Sequence, residues 1–260
     1  MMAHSTFLPT LTMFTTSMPK FFTRSVALVA TTAALVGSAM VPGVAAAQST
    51  SITIGSAAEA MPMGPFGALP GGATVAMGQT FVRPTGPVCA LTCYMQDFSF
   101  WLSPSVDEPS NGLVLRAYVA EWDGTKVTNV LYSSEERIGP TVASQQFTFG
   151  TSNVSINAGT QYIAFLSVVG ISGLPGTAVA DFDVVSGDPS PYADGALVFT
   201  NSATTFGDLT STDWDYTGDP ALQARFNANF TSSVVPEPSS VLLFATGAAA
   251  LLLMVRRKQA

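Results

Sequence analysis

The stretch Gln223-Ala-Arg-Phe-Asn-Ala-Asn-Phe230 alternates between apolar and polar residues along its whole length. Ala224, Phe226, Ala228 and Phe230 fall on one face, and Gln223, Arg225, Asn227 and Asn229 on the other. Successive side chains of an extended chain point to opposite faces, so a period of two defines a half-buried strand. The pattern recurs. Phe98, Phe100 and Leu102 oppose Asp97, Ser99 and Trp101; Phe147 and Phe149 oppose Gln146 and Thr148; Phe182 and Val184 oppose Asp181 and Asp183. Residues 113–122 and 162–169 are apolar on both faces, as central strands are. Residues 51–54, 74–82, 126–132 and 196–200 are further strand candidates.

Turn chemistry separates these runs. Asp123-Gly124 between two of them marks a tight hairpin. Asn157-Ala-Gly159, residues 170–176 and residues 186–195 read as loops. No segment between the chain ends has a convincing helical period. Many short strands without alternating helices predict an all-β fold, an antiparallel β-sandwich of jelly-roll type. The Gly- and Pro-rich residues 55–72 read as a long edge loop or an N-terminal arm.

Both ends differ in kind from this body. Lys20 and Arg24 precede an apolar segment at 26–36, and Ala45-Ala46-Ala47 then supplies small residues. This is the layout of a secretory signal peptide cut after Ala47, with Met18 as an alternative start. At the other end an apolar run at 241–255 is followed at once by Arg256-Arg257-Lys258. As a helix it would extend about 22 Å, against a hydrocarbon core of about 30 Å, so it spans only marginally. The basic cluster marks the cytoplasmic side. The expected organisation is therefore a signal peptide at 1–47, an exported domain at 48–231, a linker at 232–240, and a single transmembrane helix with its basic tail at 241–260.

Val235-Pro236-Glu237-Pro238-Ser239, the short apolar helix and the terminal basic cluster together resemble the PEP-CTERM sorting signal of bacterial exported proteins. Pro236, Glu237 and Pro238 match its signature tripeptide, and Arg256, Arg257 and Lys258 its basic end. The resemblance implies recognition by an exosortase-type membrane protease and transient residence in the inner membrane. Removal of the tail would then leave the protein at the cell surface or in an extracellular exopolysaccharide matrix. It covers only the tail and implies nothing about the central domain.

Composition narrows what that domain does. The only histidine, His4, lies in the signal region, which leaves no Ser-His-Asp triad, Cys-His pair or His-ligated zinc. Residues 48–235 hold five cations against sixteen acids, a net charge of −11, which disfavours nucleic acid as a partner. The cysteines, Cys89 and Cys93, predict a local disulfide in an exported protein. An extended segment would hold their Cα atoms about 13 Å apart, beyond bridging range, so the chain must turn between them.

Four groups of residues invite chemistry. Asp213, Asp215, Thr217 and Gly218 resemble the first half of a calcium loop, with Asp219 following. The closing acid is missing, since Ala224 stands there, so Asp188 or Asp194 would have to complete it; the alternative is a solvated acidic turn. Trp101, Trp122 and Trp214 could stack on sugar rings, with Trp101 and Trp214 the better placed, or each could cover a core edge. Glu121 with Asp123, and Glu135 with Glu136, could form a glycosidase pair or be solvated connections. These alternatives lead to a noncatalytic, cofactor-free surface or matrix protein as the expected function. A carbohydrate-binding module for extracellular polysaccharide and a glycan-active enzyme stand as alternatives.

Overall fold

Phe98 faces Phe149 across one strand pair, and Phe100 lies between Phe147 on one neighbour and Phe226 on the other. That aromatic row is what the alternating pattern builds once the strands find their register. The computed structural model describes residues 49–56, 58–68, 72–105, 112–173, 177–187 and 190–232. Both the signal peptide and the C-terminal helix expected from sequence lie outside them. Among the described residues no helix is long and apolar enough to cross a membrane.

The strands are β1 (Ser49–Ile54), β2 (Met61–Gly67), β3 (Ala76–Val82), β4 (Tyr94–Pro104), β5 (Val114–Trp122), β6 (Val127–Ser133) and β7 (Arg137–Ile138). There follow β8 (Gln145–Ser155), β9 (Gln161–Ser167), β10 (Val179–Ser186), β11 (Leu197–Thr200), α1 (Phe206–Ser211), β12 (Asp215–Tyr216), β13 (Leu222–Ala224) and β14 (Phe226–Thr231). They form two seven-stranded antiparallel sheets. In the second sheet the order is β12-β11-β3-β9-β5-β6, with β7 also on β5. In the first, β4 pairs with β8 along one edge and divides the other between β14 and β10. β1 continues beyond β14, and β2 beyond β10. From β3 onward the chain passes repeatedly between the sheets, with β3, β5, β9 and β11 in the second and β4, β8, β10 and β14 in the first, while β6 and β7 follow β5 within the second. The core therefore closes by contacts distant in sequence.

Between the sheets, Phe81 of the second sheet stacks near Phe226 and Phe230 of the first, with ring centroids 6.1 Å apart in both cases. Phe66, Phe100 and Phe182 complete the cluster with edge-to-face contacts. Each fully buried phenylalanine contributes about 1.5–3 kcal/mol relative to an exposed one. A second apolar cluster lies apart from this core, where Tyr118, Trp122, Ile163, Phe165 and Val198 meet Leu209 of α1 and Trp214. Burial on both sides explains why β5 and β9 are apolar on both faces.

Residues 55–72 are not simply a loop or arm, because β2 lies within them and pairs with β10. Its Pro62 and Pro65 lack the N–H that an interior strand must donate, and an edge strand tolerates this. At Gly64 a Cβ would stand 2.1 Å from an Asp181 carboxylate oxygen, so a larger residue there would displace the Asp181 side chain. The 223–230 run also departs from uniform alternation. It breaks at Arg225 into β13, paired with β10, and β14, paired with β4. Gln223 and Arg225, expected on the wet face, are consequently buried.

Candidate functional site

The disulfide is present: Cys89 and Cys93 are bonded, with Cα atoms 4.6 Å apart across the turn that their spacing demanded. Thr92, inside this loop, donates to the Ser232 carbonyl at 2.6 Å, and Ile156 N–H donates to the Cys93 carbonyl. The stapled loop thus holds the chain where it leaves β14. Pro236, Glu237, Pro238, Arg256, Arg257 and Lys258 lie outside the described residues.

Trp101 lies half-buried among polar residues of the first sheet, as the alternation predicted. Its ring is not bare, because the Arg225 guanidinium carbon sits 4.4 Å from the ring centroid. Arg225 also approaches Asp183 at 3.4 Å, and Asp183 accepts from the hydroxyls of Ser103 (2.9 Å) and Ser144 (2.5 Å). The remaining polar residues on these strands largely satisfy one another. Asn229 donates to Asp97, Thr53 to Asn227 and Gln146 to Ser99, and Ser99 pairs with Thr148.

Trp214 is a core-edge residue and not an exposed platform. It is 7% exposed, its indole N–H donates to the Leu209 carbonyl at 2.9 Å, and its ring meets Trp122 and Phe165 edge to face. The candidate calcium ligands are not drawn together among the described residues. Asp215 is in β12, extended and paired with Phe199, and Asp219 accepts from the Ala221 N–H. Among the described residues no cluster of three metal-ligating side chains forms. Asp188 lies outside those residues, and Asp194 stands exposed on a different loop.

One member of each carboxylate pair is engaged locally. One Asp123 oxygen accepts the N–H groups of Thr125 and Lys126 and the Thr125 hydroxyl, closing the β5–β6 hairpin. Those backbone donors hold its pKa below the usual carboxylate value. A general acid near neutrality needs the opposite shift. Glu136 is bound by Arg116 at 2.7 Å, while Glu121 is half-buried in β5.

What the structure assembles instead is a groove of about 470 Å³ beside the second apolar cluster. Trp122, Trp214, Val198 and Thr80 are its buried lining, and Gly124, Ala193, Asp194 and Tyr216 its exposed part, with Gln161 half-buried between them. The rim is held firmly. Thr80 exchanges backbone and hydroxyl hydrogen bonds with Ala196, and Gln223 donates to the Gly195 carbonyl. Gly195 is obligatory by proximity, because a Cβ would lie 1.9 Å from the Thr80 carbonyl oxygen. Gln223 in turn pairs at 2.6 Å with Gln79, a buried amide on β3. Sequence reasoning missed Gln161, Tyr216 and this amide pair. Only the proximity of Tyr216 to Trp214 in the chain was a signal.

Fold and tail together define the class: an all-β sandwich followed by a C-terminal export-sorting signal. Residues 234–258 match the PEP-CTERM protein-sorting motif, which identifies the tail and covers that segment alone. Comparison with curated proteins gives no match. Among solved structures, the cysteine protease and lectin-like domains of Cwp84, a surface layer associated protein of Clostridium difficile, align with 62% of this chain and 33% of theirs. Identity is 10% and the TM-score 0.39. A clostridial Cwp84 structure after propeptide cleavage aligns with 71% of this chain and 40% of its own, at 10% identity and a TM-score of 0.40. The chain thus spans well under half of either, and neither similarity bears on its function.

Proposed function

We propose that this chain is an exported surface or extracellular-matrix protein of a bacterium, with a noncatalytic β-sandwich as its working part. Its PEP-CTERM tail hands it to an exosortase-type membrane protease. The observation that carries the reading is the placement of the motif. β14 ends at Thr231 and the matched segment begins at 234, so the sorting signal follows the last strand directly. Cleavage near Pro236-Glu237-Pro238 would spare every strand of the described residues, as would signal-peptide cleavage after Ala47, since β1 begins at Ser49. The marginal length of the 241–255 run favours transient retention, with Arg256, Arg257 and Lys258 as its cytoplasmic stop. The absence of histidine from residues 48–235 and the tying of both cysteines into a disulfide support a noncatalytic role.

Intact-mass analysis of the exported protein from exosortase-competent and exosortase-deficient cells tests this. Loss of residues 1–47 and of the basic end is expected in competent cells. A surface-released species still carrying Arg256 to Lys258 in those cells would refute processing.

A further inference from the structure

We infer that the groove beside β3, β5 and β11 is a binding site for a neutral saccharide. The ring would pack its C–H face on the exposed Tyr216, over a floor formed by the buried edges of Trp122 and Trp214, and its hydroxyls would bond to Gln161 and Asp194. This goes beyond the sorting role and does not depend on the tail.

Three observations carry it. First, the groove's volume of about 470 Å³ falls within the roughly 300–1,000 Å³ of small-molecule sites, which combine apolar walls with a few convergent polar groups. Second, those polar groups are unspent. The Gln161 amide, the Asp194 carboxylate, the Tyr216 hydroxyl and the Trp122 indole N–H form no hydrogen bond among the described residues. None of them is a buried orphan either, since the side-chain atoms that are both buried and unpaired belong to Arg116 and Arg225. Gln161, Asp194 and Tyr216 keep donor and acceptor capacity free at accessible positions, which is what a hydroxylated ligand needs. The polar residues around Trp101 on the first sheet are in the opposite condition, bonded to one another, with Arg225 stacked on the indole. Third, among the described residues the groove has no lysine or arginine in its lining, and its one charge is the carboxylate of Asp194. An anionic ligand would be repelled, and a neutral polyol fits.

The geometry is set before any ligand arrives. Trp122 and Trp214 lie edge to face at 83° with centroids 6.0 Å apart, and Trp214 is anchored by its bond to Leu209. The floor therefore needs no ordering on binding, and the cost falls on the side chains of Gln161, Asp194 and Tyr216.

Affinity electrophoresis of the mature protein through gels holding hydroxyethylcellulose, dextran or galactomannan tests the assignment, with alginate and chitosan as charged controls. Retardation by at least one neutral polymer is expected. Tyr216→Ala and Asp194→Asn, both at exposed positions, should each weaken it about tenfold, the equivalent of about 1.4 kcal/mol, without lowering Tm. Trp101→Phe should leave retardation unchanged. Migration unaffected by all three neutral polymers would overturn the inference. So would retardation that survives both groove substitutions, or retardation by alginate or chitosan alone.

Discussion

Removing the Asp183 side chain should be among the most destabilising changes on the first sheet, although Asp183 lies outside the apolar core. Asp183 is 2% exposed and Arg225 9%, and the two charges meet at 3.4 Å. The Arg225 Nε already lacks a partner. Asp183→Ala leaves the guanidinium buried with only the Trp101 ring against it. Breaking a buried pair from one side costs about 3–5 kcal/mol. The ring offsets some of this, since a cation over an indole contributes about 0.5–2 kcal/mol. The expected loss is therefore about 3 kcal/mol, near the lower end. Arg225→Met should cost less, because Asp183 keeps the hydroxyls of Ser103 and Ser144. The double variant Asp183→Ala, Arg225→Met removes both charges and should recover most of the loss, ending within about 1 kcal/mol of the parent. Urea unfolding followed by tryptophan fluorescence reports all four proteins. A double variant whose loss equals the sum of the single losses within about 0.5 kcal/mol would show no coupling and refute the argument.

Other consequences can be measured on the same protein. Replacing Cys89 and Cys93 together by serine opens a loop with a sequence separation of 4 and should cost about 2 kcal/mol by the chain-entropy relation; unchanged denaturant midpoints in oxidised and reduced protein would contradict this. Asp208 accepts the N–H groups of Thr204 and Thr205 and the Thr204 hydroxyl, which hold its pKa down at about 2. Because the folded value is depressed, this contribution is complete above the ordinary carboxylate pKa of about 4 and is lost as pH falls through about 2. A carboxyl NMR titration of Asp208 with a midpoint near 4 would rule that out. Gly195→Ala should cost about 1–3 kcal/mol through forced displacement of the rim, and should weaken neutral-polysaccharide retardation as well. Retardation and Tm both at parental levels would refute the packing argument.

The strands were legible because their signal is local. A period of two in Phe98 to Leu102 or in Ala224 to Phe230 follows from backbone geometry alone, and every one of those apolar side chains is buried in the core. β2 escaped because its prolines and glycines imitate a loop, and an edge position tolerates what an interior strand would not. α1 escaped because six residues are too few to display a helical period. Trp101 and Trp214 were indistinguishable in sequence, yet one ring stacks on a cation of the first sheet and the other is enclosed by α1 and β5.

By itself, the sequence determined the apolar faces of the strands, the sorting motif of the tail, the disulfide and the exclusion of histidine chemistry. Each depends on neighbours within a few residues, or on composition. Tertiary structure alone decided that Arg225 turns inward to Asp183, that Gln223 crosses to Gln79 over 144 residues, and that Gln161, Asp194 and Tyr216 share one groove. Strand pairing between distant segments sets those meetings, and the alternation of side chains carries no record of which strand will be the neighbour.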